Sequence, residues 1–153
     1  MRLAALSLML LLWGGAACAR PLAAGDLAAA RAGAVAGDAD ARFDLGRMYR
    51  NGIGVARDSE AAARWIGLAA EAGHPAAMFT LHHMLAAGEG LKRDEGQARE
   101  WLERAAAVED PQALQQLAQY LQLGAQGYAR DPERAAQLLA QLAHALSHRP
   151  HAD

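Results

Sequence analysis

The sequence predicts an all-α protein: an α/α superhelical solenoid of about three helix hairpins, led by an N-terminal capping helix. Three observations predict it. The first is an internal repeat. Ala41, Leu45, Gly52, Gly54, Asp58, Ala62 and Trp65 return 36 positions later as Ala77, Leu81, Gly88, Gly90, Asp94, Ala98 and Trp101. A third copy reads Ala113, Leu117, Gly124, Gly127, Asp131 and Ala135, shifted by one residue after its glycine loop. A fixed period between about 20 and 50 residues marks stacked units, none of which can bury its apolar face alone. The second observation is the spacing inside each copy, where apolar residues recur at helical intervals such as Ala41, Leu45 and Tyr49. The third is composition: alanine dominates the apolar residues and aromatics are only 5 %, which favours closely approaching helices over sheet.

The elements follow in order. Residues 1–19 read as a secretory signal: Arg2, an apolar run from Leu3 to Trp13, then the small residues leading to Cys18 and Ala19. The run is short for a membrane span, which needs roughly 20 apolar residues. Two processing routes stay open at Cys18. Gly15-Ala16-Ala17-Cys18 resembles a lipobox that would lipidate the cysteine, although Gly15 stands where a larger residue is usual. An ordinary cut after Ala17-Cys18-Ala19 satisfies the small-x-small rule equally. A single cysteine excludes an internal disulfide framework.

Residues 20–37 are a linker and a capping helix, with Asp26 as its candidate cap and Gly37 as its stop. Repeat one spans 38–73, repeat two 74–109, and repeat three, degenerate and terminal, 110–147; 148–153 form a tail. Asp38, His74 and Asp110 stand at the start of helix A in each repeat, where a side-chain acceptor can meet an orphan backbone N–H. Pro75 and Pro111 follow at the first helical position, which lacks an intrahelical N–H bond anyway. Glycines end helix A and enter the turn. Asp58, Asp94 and Asp131 then cap helix B, which sets Ala62, Trp65 and Ala69, and their copies Ala98, Trp101 and Ala105, on one face. The tryptophans read as core packing between hairpins. Leu138 replaces the third tryptophan.

Residues 37–73 resemble the Sel-one-like repeat family, a relative of the tetratricopeptide repeat. The resemblance rests on Asp38, Ala41, Leu45, Gly46, Tyr49, Gly52, Gly54, Val55, Asp58, Ala62, Trp65, Ala69 and Ala70. Repeat two departs from the pattern with His82 for the glycine and Leu85 for the tyrosine. The resemblance implies an adaptor that works by protein–protein contact, without catalysis or cofactor. Members described as hydrolases carry paired cysteines, which this chain lacks.

In stacked hairpins the A helices are expected to line the concave face. On that face Gln115, Gln119 and Gln122 of repeat three correspond to Phe43, Arg47 and Arg50 of repeat one, and Phe79 and His83 hold the first two places in repeat two. These eight residues are the candidate partner-binding row. Glutamine serves a peptide backbone as donor and acceptor, and arginine can clamp a carboxylate. The competing reading is a solvated face with Phe43 and Phe79 packing between repeats.

Other chemistries find little footing. The glycine turns lack the Lys-Ser/Thr and the preceding strand of a phosphate loop. A formal net charge of −2 implies no nucleic-acid partner. His82 and His83 diverge by about 100° on a helix, a poor metal pair. His144 and His148 share a face but have no supporting ligand nearby, so no metal or cofactor is expected. Ser59 and Thr80 lack an oriented base, which leaves an envelope hydrolase as the third choice. The function expected is an exported scaffold in a Gram-negative envelope, periplasmic or held to the membrane only through Cys18, binding another protein or peptide. The alternative is a regulatory or inhibitory subunit of an envelope enzyme, bound by the array's edge.

Overall fold

The computed structural model describes residues 26–147. The expected export signal with Cys18, the first part of the linker and the tail from 148 lie outside the described residues. Those described form seven α-helices and no strand: α1 (Leu27–Ala36), α2 (Ala39–Asn51), α3 (Ser59–Glu71), α4 (Pro75–Ala87), α5 (Glu95–Ala107), α6 (Pro111–Leu123) and α7 (Pro132–Ser147). Each packs against the helix before it and the helix after it, which is the all-α solenoid. α2–α3, α4–α5 and α6–α7 are the three hairpins, and α1 covers the open side of the first.

The starts and stops obey the chemistry of the orphan backbone groups. Asp38, Asp58, Asp94, Asp110 and Asp131 each accept a main-chain N–H with a side-chain oxygen. His74 does the same with Nδ1, 3.1 Å from the Ala77 nitrogen, which fixes the imidazole in the tautomer protonated at Nε2. Asp26 differs: its side chain makes no cap hydrogen bond to α1, and its own backbone is already helical. At the far ends the three A helices stop on left-handed Gly52, Gly88 and Gly124.

The residue before each A-helix cap also turns left-handed. Gly37 and Gly73 do so freely, but in the third place, again 36 residues on, stands Glu109 with φ 59°. Gln126, in the third glycine turn, is the other non-glycine with positive φ among the described residues.

Alanine builds the core because it lets helix axes come close. Ala62, Ala69, Ala77, Ala105, Ala113 and Ala135 are fully buried. Gly46 on α2 is the tightest crossing, since a methyl there would meet Ile66 of α3. The tryptophans only half join this core. Trp65 and Trp101 are partly exposed, with Arg104 4.7 Å above the Trp101 ring. The fully buried large side chains are the next residues along, Ile66 and Leu102.

Neighbouring hairpins are also tied by their loops. A side chain at Gly90 would run into the Ser59 carbonyl, so the second loop rests on the first turn of α3. The third loop likewise lies on Arg99 of α5, whose guanidinium donates to the Gln126 carbonyl at 3.4 Å.

Candidate functional site

The row on the A helices is built from α2, α4 and α6: Arg47, His83, Gln115, Gln119 and Gln122 are exposed, Arg50 is part-buried, and Phe43 and Phe79 are part-buried against the core between repeats. At its start the Phe43 ring packs against His74, ring centres 4.5 Å apart and tilted by 34°, across the seam between repeats one and two. Arg47 lies over the Phe43 ring at 5.7 Å and is 3.5 Å from Asp44. In repeat two the Phe79 ring meets the edge of His83 at 4.6 Å. In repeat three Gln115, Gln119 and Gln122 stand exposed on α6, with the Gln116 amide donating to Gln119 at 3.4 Å.

Arg50 behaves differently from the other members. Its guanidinium grips Glu89, with Nε at 3.0 and 3.2 Å from the two carboxylate oxygens and Nη2 at 2.7 Å from Oε2. The expected carboxylate clamp is therefore closed within the chain, joining α2 to the loop after α4. Arg57 approaches the same carboxylate at 3.9 Å. The Arg50 hydrogen bond holds the Glu89 carboxyl below the usual range, and it raises the Arg50 guanidinium in turn. Glu89, in the loop after α4, is the partner that sequence reasoning missed. Its trace in the sequence is a charged residue where repeat one has apolar Ile53, 36 residues earlier.

Burial also tunes the two histidines. His82 occupies the place of Gly46 and is 3 % exposed. Its Nδ1 lies 2.8 Å from the Ala98 carbonyl, and Nε2 has no partner among the described residues. Desolvation outweighs that hydrogen bond and lowers the basicity of His82. His83 is lowered too, by desolvation first and then by His82 and Arg50, which sets Arg50 and His83 in one neighbourhood of the row. Below them an aromatic chain that periodicity alone did not show runs from His82 to Tyr120, 6.2 Å, and on to Tyr128, 6.1 Å. Burial pushes the Tyr128 hydroxyl up to about 12, and it donates to the Arg99 carbonyl at 3.3 Å.

Thr80 turns its hydroxyl back to the Ala76 carbonyl, 2.7 Å away. Among the described residues no three His, Cys, Asp or Glu side chains converge as a metal cluster, and His148 lies outside them.

The Sel1 repeat model matches the chain three times, at residues 39–74, 76–108 and 111–145. The chain belongs to the Sel1 repeat family. Its solenoid is similar to the crystal structure of a Sel1 repeat protein from Oxalobacter formigenes: 36 % identity, TM-score 0.70, covering 82 % of this chain and 92 % of that one. It is also similar to a protective antigen of uropathogenic Escherichia coli with an SLR fold, at 30 % identity and TM-score 0.71. That match covers 80 % of this chain but 26 % of the antigen, so the array spans about a quarter of the larger molecule. No curated protein matches the chain. Sel1 repeats generally serve as non-catalytic scaffolds for protein–protein interaction.

Proposed function

We propose that this Sel1 array is an exported envelope scaffold that holds a partner polypeptide along the exposed row of its A helices. One observation carries the reading: aromatic, cationic and amide groups follow one another at the same helical positions through all three repeats. Arg47 and His83 offer polar groups set against the part-buried rings of Phe43 and Phe79, and Gln115, Gln119 and Gln122 offer donors and acceptors suited to a peptide backbone. Arg50 contributes by fixing the seam between the first two repeats, so that their side chains keep one register. The apolar run before Cys18 supports export, with the partner then sought among envelope proteins.

The test is site-specific crosslinking in the native envelope. A photoreactive residue at His83 or Gln119 is expected to capture a discrete partner, and one at Arg64 on α3 is not. Alanine at Arg47, His83 and Gln119 together is expected to lower capture at least tenfold. Equal capture from Arg64, or capture untouched by the triple replacement, sinks the proposal. Export is checked separately by the mass of the mature N-terminus, with Cys18→Ala separating lipidation from simple cleavage.

A further inference from the structure

The flank of the last helix differs from its two forerunners. Leu139 and Ala143 of α7 stand 37 residues after Leu102 and Ala106 of α5, which stand 36 after Ile66 and Ala70 of α3. Ile66 and Leu102 are 0 % exposed, and Ala70 and Ala106 are buried. Leu139 in the same place is 38 % exposed, and Ala143 is exposed too. Leu146, 50 % exposed, continues the stripe and has no helical counterpart. α3 and α5 end at Glu71 and Ala107, and their chains turn left-handed at Gly73 and Glu109 into the next repeat. α7 instead runs on to Ser147. Steps of four and three residues set Leu139, Ala143 and Leu146 on one side of it. The terminal unit of a soluble solenoid ordinarily turns a polar face outward. This one turns out two leucines.

The array itself shows what covers such a flank. α4 packs on α3, and α6 packs on α5. Ile66 and Ala70 share a buried cluster with Ala77, Met78 and Leu81 of α4, and Leu102 and Ala106 share it with Ala113, Leu114 and Leu117 of α6. The covering helix therefore has one signature both times: a small residue, a large apolar residue next to it, and a leucine four positions after the first. A second copy of the chain has no such helix to spare, because its α2, α4 and α6 each already pack between two helices of their own array.

We infer that the outer flank of α7 is a docking face for an amphipathic helix of a partner polypeptide, one that carries the small-large-x-x-Leu pattern of an A helix. Docking gives Leu139 the burial that Ile66 and Leu102 have within the chain, and Leu146 adds apolar area. The face lies on a B helix at the end of the array, so it stands or falls separately from the row on the A helices.

The probe is a synthetic copy of the α6 segment, held helical by a cross-link between its Gln115 and Gln119 positions, which are solvent-exposed in the array. The full chain is titrated with it while backbone amide resonances are followed. Saturable shifts at Leu139, Ala143 and Leu146 are expected, and none from the same peptide carrying Leu114→Asp and Leu117→Asp. In the chain, Leu146→Glu and Ala143→Glu change exposed positions, and each is expected to weaken binding about tenfold. Arg64→Ala on α3 is expected to leave it unchanged. Absence of saturation, shifts confined to α5 where the peptide would displace α6, or undiminished affinity in both glutamate variants overturns the inference. Self-association of the free chain that Leu146→Glu abolishes, read by sedimentation, also overturns it and assigns the flank to a second copy.

Discussion

Replacing Arg50 or Glu89 with alanine should loosen the seam between the first two repeats by a measurable amount. Three N···O distances between 2.7 and 3.2 Å make this a two-pronged ion pair, and its side chains are 35 % and 21 % exposed. Two unit charges about 4 Å apart attract by about 4 kcal/mol at an effective dielectric of about 20. Desolvating both groups and immobilising two long side chains removes more than half of that, leaving a coupling of about 1–2 kcal/mol. Arg57 reaches the same carboxylate at 3.9 Å with a side chain 68 % exposed, and its coupling to Glu89 should be about 0–0.5 kcal/mol. The assay is a double-mutant cycle by urea unfolding on Arg50→Ala, Glu89→Ala and the double variant, with an Arg57 cycle as control. The sign with pH follows from Glu89. Its carboxyl is held below the ordinary 4.5 in the folded chain, so the coupling is complete above the unfolded value and fades as pH falls through the folded one. An Arg50–Glu89 coupling under about 0.5 kcal/mol at pH 7, or one that persists unchanged at pH 2, would refute the reasoning.

Other outcomes follow from single positions. Glu109→Gly should stabilise the chain by about 0.5–1 kcal/mol in thermal unfolding, because a β-carbon at φ 59° is strained and the flanking backbone bond to Ala106 is kept. Gly46→Ala should destabilise by roughly 2–3 kcal/mol through its clash with Ile66, whereas repeat three already carries Ala118 at the matching place. His82 is held neutral by burial, so its contribution is whole above the unfolded value of 6.5 and is lost as pH falls toward the lowered folded value. His82→Gln keeps an N–H for Ala98 and cannot titrate, so its stability should vary less between pH 7 and pH 5; an undiminished slope would show that another group, His83 first, is responsible.

Much of this architecture was legible because a repeat constrains itself. Asp38, His74 and Asp110 mark the same backbone event three times, and one helix start predicts the other two. What periodicity reports is the direction in which a side chain leaves its own helix. It does not report which group meets it from the next hairpin. Hence Arg50 read as a free clamp, when its partner sits 39 residues away in a loop. The tryptophans were expected to be core. Both indoles do pack against the core clusters, but the helix phase gives the deepest place to Ile66 and Leu102 and leaves the indoles partly exposed. His82 could be recognised as a departure from glycine, but the hydrogen bond to Ala98 that makes the exchange tolerable needed coordinates. Glu109 is the quietest case: alignment put it at a glycine position, and only the backbone shows that the left-handed turn was retained without glycine.

The loop contact at Gly90 bears on how such a chain is made. Ser59 lies 31 residues upstream of the backbone that settles on it, and Arg50 waits still longer for Glu89. During synthesis the first and second hairpins therefore leave the ribosome before the loop that settles on each of them has been made. Removing the second or third hairpin therefore also strips a loop contact from the hairpin before it.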